Sequence, residues 1–253
     1  SVSVLILLTC TMCNRPELPA GDPDNGGLFL PEGFEAIVVT DSTPGAIRHL
    51  AVNSNGDIYA RLRFPKKEGG NAALRDLDGD GKADSIMLWA DFDDKGQYGT
   101  EMRIHDGYLW YSSTTHIYRQ KLTPGDLIPQ SPMELMLTDT QPPRAHDTKP
   151  IAFDKKGNMY IPFGPSSDCC QISEGAPFSP GKDPCPFLET RGGIWKFDAN
   201  KPNQFQWDGE LYADGFRSVV ALAWNNVDDQ LYTVMHGRDY LHWNRSEEHT
   251  SEL

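Results

Sequence analysis

The stretch Ile151–Tyr160, with the sequence IAFDKKGNMY, places two apolar runs on either side of the polar turn Asp154–Gly157. The same order recurs as LAVNSNGDIY at Leu50–Tyr59 and, one residue longer at the turn, as LAWNNVDDQLY at Leu222–Tyr232. Each copy starts with an apolar residue, an Ala and a second apolar residue, and each closes on Tyr. Apolar runs joined by Asn/Asp/Gly turns are typical of β-hairpins. The sequence therefore predicts one hairpin that is repeated along the chain.

A fourth hairpin region lies between the first two copies. Ile104–Leu122 (IHDGYLWYSSTTHIYRQKL) has one turn signal at Asp106-Gly107 and another at Thr114-Thr115. The copies that begin at Leu50 and Ile151 are therefore separated by two units of about 50 residues, a period in the range of propeller blades. No stretch shows the periodicity of a long amphipathic helix, which disfavours a parallel α/β fold. We expect an all-β chain that forms a β-propeller of four-stranded antiparallel blades, of which about four are present.

Composition excludes some classes of function. The 253 residues include 36 Asp and Glu against 23 Lys and Arg, for a formal charge of −13. A nucleic-acid binder neutralises phosphates with clustered Lys and Arg, so this balance argues against a nucleic-acid partner. The hydrophobic share of 38% is sufficient for a packed core and argues against disorder. The length suits one large domain or two small ones.

The start of the chain resembles an export signal. The apolar run Val2–Leu8 leads to Cys10 and Cys13, and it is far shorter than the roughly 20 residues that span a membrane. An apolar run that ends in Cys is typical of bacterial lipoprotein signals, and the pattern leaves an ordinary export signal and lipidation of Cys10 or Cys13 equally open. We expect residues 1–27 to be a signal or lipoprotein-like segment with its tether. The corresponding location is the periplasm or, with a lipid anchor, the outer membrane.

The end of the chain differs from the rest. Arg245–Leu253 (RSEEHTSEL) lacks periodicity and resembles the translation of a sequencing-adapter oligonucleotide. We expect residues 245–253 to be a non-native tail, which leaves residues 28–244 for a partial propeller.

An acidic loop has the spacing of a calcium site. Its carboxylates are Asp76, Asp78, Asp80 and Asp84, at positions 1, 3, 5 and 9 of DLDGDGKAD, with Gly81 at position 6 for a sharp turn. Ca²⁺ prefers several oxygen ligands at close range, and the Lys82 carbonyl would be one more. A glutamate at position 12 is lacking, so this is not a complete helix-loop-helix calcium loop. We expect a structural Ca²⁺ site, with a solvated acidic turn as the alternative.

Three of the five cysteines surround one insertion. Cys169, Cys170 and Cys185 flank the Pro- and Gly-rich residues 171–184. A disulfide between Cys170 and Cys185 would close this loop, and export permits its oxidation. Zinc binding is disfavoured because the adjacent Cys169 and Cys170 lack the usual ligand spacing.

Two side chains are candidates for chemistry. His146 lies just before the strand at Ile151, and Arg217 lies just before the strand at Val220. Loops that precede equivalent strands gather at one end of a propeller channel, so we expect both to face one pocket. A neutral His beside a cationic Arg suits proton abstraction from a hydroxyl next to an anionic, electron-accepting partner. Alternatively, His146 is an ordinary loop histidine and Arg217 belongs to an ion pair.

Taken together, these segments resemble the soluble glucose/sorbosone dehydrogenases, which use pyrroloquinoline quinone (PQQ) on a six-bladed propeller. The order and spacing of the segments carry the resemblance from about Leu30 to Asn244. The segments are LPEGFEAIVV (30–39), HLAVNSNGDIYARLR (49–63), the acidic loop, HDTKPIAFDKKGNMYIPFG (146–164), GGIWKFDANKPNQ (192–204), YADGFRSVVALAW (212–224) and HGRD (236–239). On this comparison the chain holds about four of six blades.

The resemblance implies a role for each site residue. His146 matches the general base that takes the proton of a sugar hydroxyl while a hydride passes to the quinone. Arg217 matches the arginine that hydrogen-bonds the quinone oxygen. Gly237 and Arg238 match positions whose backbone carbonyls hold the Ca²⁺ bound to the cofactor, a Lewis acid for the quinone carbonyl. The implied cofactors are therefore PQQ and Ca²⁺, and the implied partners are a sugar and an electron acceptor such as a cytochrome or a quinone.

The sequence departs from the family at two places. Glucose-oxidising members have a Gly-Asp pair after the strand that follows the histidine, and its Asp orients that histidine. Here the pair is Gly164-Pro165, so Asp147, Ser166 or Asp168 is expected to substitute, or the base is weaker. Ser218 occupies a position where those members have Asn.

Two other functions remain as alternatives. A Ca²⁺-dependent lactone hydrolase on a propeller would need a cluster of carboxylates and Asn at the channel, and no such cluster is visible near His146 and Arg217. A non-catalytic, calcium-binding surface propeller would need neither His146 nor PQQ.

Overall fold

The computed structural model describes residues 19–90, 98–140 and 146–239, which form fifteen strands in four sheets. The first sheet contains β1 (Ile47–Val52), β2 (Ile58–Lys66), β3 (Gly69–Arg75) and β4 (Ser85–Trp89). The second contains β5 (Glu101–His105), β6 (Tyr108–Ser112), β7 (His116–Lys121), β8 (Glu134–Thr138) and β12 (Gln204–Phe205). The third contains β9 (Ala152–Phe153), β10 (Asn158–Phe163), β11 (Gly193–Asp198) and β13 (Glu210–Asp214), and the fourth contains β14 (Ser218–Asn225) and β15 (Gln230–His236). Short 3-10 helices lie at Asn25–Gly27, Pro186–Glu189 and Gln206–Asp208.

The predicted hairpins form the first two strands of each sheet. In the first sheet β1 pairs with β2 so that Ala51 faces Tyr59, and in the fourth β14 pairs with β15 so that Ala223 faces Tyr232. In the third sheet Ala152 pairs with Tyr160. The Ala and Tyr of the repeated pattern are therefore cross-strand neighbours in all three copies, since a small residue beside an aromatic one fits the paired positions.

The sheets form successive blades of a propeller. Each sheet begins with an antiparallel meander, and the first strands of neighbouring sheets contact each other, β1 with β5 and β9 with β14. Three sheets have at least four strands and the fourth has two among the described residues, which agrees with about four blades. The expectation of an all-β propeller is confirmed.

Two details differ from blades of four antiparallel strands. The second sheet has a fifth strand, because β12 leaves the connection between β11 and β13 and pairs in parallel with β8. The fourth sheet shows only β14 and β15 in the described part of the chain. Its outer strand leaves Tyr232, Val234 and Met235 exposed.

The core lies between the sheets. The largest cluster joins the second and third sheets through buried aromatic and aliphatic side chains: Trp110, Ile117, Met136, Leu137, Ile151, Phe153, Met159, Ile161, Phe163, Trp195 and Phe197. A separate cluster packs the third sheet against the fourth, where Tyr160 stacks on Trp224 with ring centroids 5.3 Å apart. Burial of this apolar area orients neighbouring sheets and so fixes the loops at their ends.

The two ends of the chain fall largely outside the described residues. The expected signal, Cys10 and Cys13 lie there, as does the tail at 245–253. Residues 19–27, which the sequence assigns to a tether, are hydrogen-bonded to the following segment: the N–H of Asp22 donates to the Ala36 carbonyl at 2.8 Å, and its carboxylate accepts from the N–H of Val38 at 2.7 Å. Among the described residues, none of the helices is long and apolar enough to cross a membrane.

Candidate functional site

One cleft of about 250 Å³ collects side chains from all four sheets. Arg48 comes from the start of β1, Tyr98 from just before β5, His146 from the loop before β9, and Arg217 from the residue before β14. Because these places are equivalent in successive blades, residues far apart in sequence meet at one end of the fold. The structure thus brings His146 and Arg217 into a single cleft.

His146 presents an unpaired nitrogen in this cleft. The residue is 8% exposed, and its Nε2 atom is buried with no hydrogen-bond partner. The backbone of Ser167 is near enough to the ring to raise the pKa of His146. A hydrogen bond to one ring nitrogen selects the tautomer. If Nδ1–H donates to the Ser167 carbonyl, Nε2 is left as a proton acceptor.

Burial keeps this histidine neutral. Desolvation lowers the pKa of His146 below its usual 6.5, and the nearby Arg217 cation lowers it further. The carboxylates of Asp168 and Asp239 and the backbone of Ser167 act in the opposite direction but do not outweigh burial. The ring is therefore neutral at pH 7, which is the state that a general base requires.

Arg217 is held between two carboxylates. Its Nε donates to Asp168 in a short hydrogen bond, and Nη2 donates to Asp239 at 2.8 Å. The N–H of Asp239 in turn donates to both carboxylate oxygens of Asp168 at 3.0 Å. Arg217 and Asp168 are mostly buried whereas Asp239 is 65% exposed. The ion pair that sequence reasoning offered as an alternative is thus present, and it fixes the guanidinium at the cleft.

The backbone around His146 is fixed by buried polar contacts. Lys149 is fully buried, and its Nζ lies 3.2 Å from Asp139, which also accepts two hydrogen bonds from Arg191. Thr148 donates to the carbonyl of Val219 at 2.6 Å and so joins the His146 loop to the strand that follows Arg217. Buried charges are tolerated only when they are paired, so this arrangement tolerates little movement.

Gly164 allows strand β10 to end against the His146 loop. A Cβ atom at this position would overlap the carbonyl oxygen and the Cβ of His146. The Gly164-Pro165 pair therefore leaves no carboxylate beside the histidine. Of the three expected substitutes, Asp168 affects the ring through its charge while its oxygens bind Arg217.

The insertion after β10 is closed by a disulfide. Cys170 and Cys185 are bonded, and Cys169 is a free, half-buried thiol. Both bonded cysteines line a second cavity of about 260 Å³, which Arg217 also borders together with Phe187 and Met235.

The acidic loop connects β3 to β4, away from the cleft. Carboxylate oxygens of Asp76, Asp78 and Asp84 lie within 4.8 Å of one another, whereas Asp80 is outside this group. Asp76 accepts hydrogen bonds from the N–H groups of Gly79 at 2.7 Å and Gly81 at 2.8 Å, and these bonds lower its pKa. The loop is therefore folded into a tight turn with its acids facing each other. Calcium binding by Asp76, Asp78, Asp80, Lys82 and Asp84 remains a prediction.

The segment after β15 completes one side of the cleft. His236 and Asp239 line it, and Gly237 and Arg238 lie between them. The carbonyl roles expected for Gly237 and Arg238 stay predictions.

Sequence reasoning did not identify Arg48 and Tyr98. The Arg48 guanidinium lies 5.4 Å from the centroid of the Tyr98 ring, so the two form a cation–π pair at the cleft. Their positions could have indicated them. Arg48 lies at the start of β1 and Tyr98 lies just before β5, as His146 and Arg217 lie before β9 and β14.

Known structures share this fold. No protein-family model and no curated protein sequence matches the chain. The structure is similar to the holo PQQ domain of pyranose dehydrogenase from Coprinopsis cinerea, with a TM-score of 0.59 and 14% identity over 77% of this chain and 44% of that one. It is also similar to the calcium structure of a family AA12 carbohydrate-active enzyme from Trichoderma reesei (TM-score 0.59, 14% identity, 79% of this chain and 48% of that one). A third is the apo soluble aldose sugar dehydrogenase of Escherichia coli (TM-score 0.51, 12% identity, 76% and 58%).

These similarities are similarities of fold. At 12–14% identity they show that this chain shares the propeller of PQQ-dependent sugar dehydrogenase domains, and the resemblance inferred from the sequence is confirmed at that level. The chain spans about half the length of the structures that it matches.

Proposed function

We propose that this protein is a PQQ-dependent dehydrogenase, or a part of one, that oxidises a hydroxyl of an aldose or a related sugar. The observation that carries the proposal is the unpartnered Nε2 of a neutral, buried His146 in the same cleft as Arg217. The shared fold supports it, since the pyranose dehydrogenase domain carries PQQ. Fold alone does not decide function, so the argument depends on the cleft.

The residues of the cleft fit a planar, anionic cofactor. Arg217 and Arg48 supply positive charge, and Tyr98 supplies an aromatic face. The buried Nε2 of His146 has no protein partner, and burying such an atom costs free energy unless a ligand satisfies it. The carboxylates and quinone oxygens of PQQ can accept hydrogen bonds from the two arginines, whereas a sugar hydroxyl can donate to the Nε2 of His146.

Each residue then has a task. When bound, PQQ supplies the electron-accepting quinone for the hydride of the alcohol carbon. His146 removes the hydroxyl proton at Nε2. Arg217, fixed by Asp168 and Asp239, directs its positive charge at the site where negative charge develops.

The proposal includes two Ca²⁺ sites. We assign the backbone carbonyls of Gly237 and Arg238 to a Ca²⁺ at the cofactor, which would act as a Lewis acid. We assign the acidic loop of Asp76, Asp78, Asp80, Lys82 and Asp84 to a structural Ca²⁺. The calcium structure of the AA12 enzyme is in keeping with the use of this ion on the fold.

The same proposal implies the partners and the location of the protein. The sugar is the small-molecule partner, and a cytochrome or a quinone takes the electrons onward. We propose export to the periplasm or, through a lipid on Cys10 or Cys13, attachment to the outer membrane.

The test is turnover that depends on both cofactors. Protein expressed from its complete reading frame, mixed with PQQ and Ca²⁺, is expected to reduce an artificial electron acceptor when aldoses are added. Omission of PQQ or chelation of Ca²⁺ is expected to abolish the reaction. Lactone hydrolysis without PQQ would support a hydrolase instead, and failure to bind PQQ or to oxidise any sugar would support a non-catalytic propeller.

A further inference from the structure

A surface carboxylate in the disulfide-closed loop organises the turn beside the cleft. Oε1 of Glu174 accepts hydrogen bonds from the N–H groups of Asp168 at 2.6 Å and Cys169 at 3.0 Å. Its Oε2 accepts from the hydroxyl of Ser167 at 2.7 Å, and that hydroxyl accepts from the N–H of Cys170 at 2.7 Å. Burial opposes ionisation of Glu174, but these hydrogen bonds outweigh it and lower its pKa. One side chain therefore holds four consecutive residues, 167–170, in one conformation.

This turn contacts both functional side chains. The carboxylate of Asp168 binds Arg217, and the backbone of Ser167 lies close enough to the His146 ring to affect its pKa. Release of the turn would free both contacts at once.

The turn is not explained as a metal site. Oxygen and sulfur atoms of Asp168, Cys169 and Glu174 lie within 4.8 Å of one another. Both oxygens of Glu174 already accept from the protein, and Asp168 is bound to Arg217 and to the N–H of Asp239. The donors of the chain itself therefore account for this cluster.

We propose that Glu174 is a positioning residue, which fixes the His146 ring and the Arg217 guanidinium through the turn 167–170. The effect of Glu174 on catalysis rests on the proposed function, whereas its effect on the His146 ring does not. Glu174 acts through hydrogen bonds, since its two carboxylate oxygens accept from Ser167, Asp168 and Cys169.

A role in hydrogen bonding makes glutamine a rescuing replacement. In Glu174→Gln, the amide oxygen of the new side chain can accept both backbone N–H groups, and its NH₂ can donate to the Ser167 hydroxyl, which has two lone pairs. Glu174→Ala removes every one of these contacts. A role based on negative charge would be lost in both variants, but a role based on hydrogen bonding is lost only in Glu174→Ala.

The experiment follows the ring protons of His146 by NMR as the pH is varied, in protein without PQQ. In Glu174→Ala we expect the pKa of His146 to fall, because the Asp168 carboxylate and the backbone of Ser167 both raise it. Glu174→Gln is expected to titrate like the wild type, as is Glu189→Ala, a control carboxylate exposed beside the same disulfide. Assignment of the resonance comes from its loss in His146→Asn, and thermal unfolding verifies that each variant is folded.

Sugar oxidation with PQQ and Ca²⁺ provides the second readout. We expect kcat to fall roughly 10- to 100-fold in Glu174→Ala, because small misplacement of a catalytic group has effects of this size, and to stay within about twofold in Glu174→Gln. An unchanged or raised pKa of His146 in folded Glu174→Ala would overturn the proposal. A lowered pKa in a protein that oxidises no sugar would keep the positioning role and reject the proposed function.

Discussion

At the scale of the residue, the charge of Arg217 and the burial of His146 act together. Both keep the imidazole neutral, while Asp168 and Asp239 limit how far its pKa falls. A base in this state is ready at neutral pH and is inactivated only when acid protonates it. The same arrangement holds the guanidinium where it can bind an anionic oxygen.

The pH dependence of the reaction follows from the direction of that shift. The pKa of His146 lies below the usual 6.5, so we expect the acid limb of kcat/KM for sugar oxidation to be centred below pH 6.5. The value of kcat/KM should fall there, as the ring takes up a proton. An acid limb centred at pH 7 or above would contradict the assignment of His146 as the base.

Substitution of the arginine tests the cause of the shift. Arg217→Gln removes the cation and leaves the Asp168 carboxylate unpaired, and both changes raise the pKa of His146. NMR titration of the ring without PQQ is expected to show this rise. Arg48→Gln is the matched control, because Arg48 lines the same cleft but is not among the charges that shift His146. An equal shift in both variants would mean that the assignment of charges is incorrect.

The sequence predicted some of these residues and not others. His146 and Arg217 could be found because each precedes the first strand of a recognisable hairpin. Ser167 and Glu174 could not, because their importance depends on how an irregular loop folds back, and neither has a pattern that sets it apart.

At the scale of the element, the end of β10 determines where His146 lies. Gly164→Ala would force a Cβ into the His146 backbone, and such overpacking typically costs about 1–3 kcal/mol. We expect a lower melting temperature and a large loss of sugar oxidation. Gly181→Ala is the control, because a Cβ there would be 3.9 Å from the nearest atom and should change neither quantity. A fully active Gly164→Ala would show that this close approach does not position the histidine.

The β3–β4 loop makes a separate prediction about stability. If it binds Ca²⁺, saturation at 100 times the dissociation constant stabilises the fold by about 2.7 kcal/mol. We expect Ca²⁺ to raise the melting temperature more than Mg²⁺ does, and Asp76→Asn to abolish most of the difference. Glu189→Gln, which changes an exposed acid in the insertion after β10, should keep it. If Ca²⁺ raises the melting temperatures of wild type and Asp76→Asn equally, the loop is a solvated acidic turn and not a Ca²⁺ site.

The inner hairpins of the blades were predictable and the outer strands were not. The inner pairs share an apolar-Ala-apolar start, a polar turn and a closing Tyr, because they occupy equivalent places in the sheets. Strands β11 and β13 carry no such shared signal, and the parallel pairing of β12 with β8 depends on contacts between two blades. Pairing of that kind is set by the tertiary structure, so local sequence does not reveal it.

At the scale of the whole molecule, the fold makes a site from residues that no single segment contains. Each of the four sheets contributes one side chain that lies at or before its first strand, at 48, 98, 146 and 217. The periodicity of the sequence sets this convergence, and buried pairs such as Lys149 with Asp139 fix its position. The net charge argued against a nucleic-acid partner, but it did not indicate where the cleft would be.

The most direct test of the central claim is the rate at which sugar reduces protein-bound PQQ in a single turnover. We expect His146→Asn to bind PQQ with an affinity within about twofold of the wild type and to slow this step by about 10²- to 10⁴-fold, the usual contribution of a general base. Reduction at the wild-type rate in His146→Asn, with PQQ bound, would contradict the account.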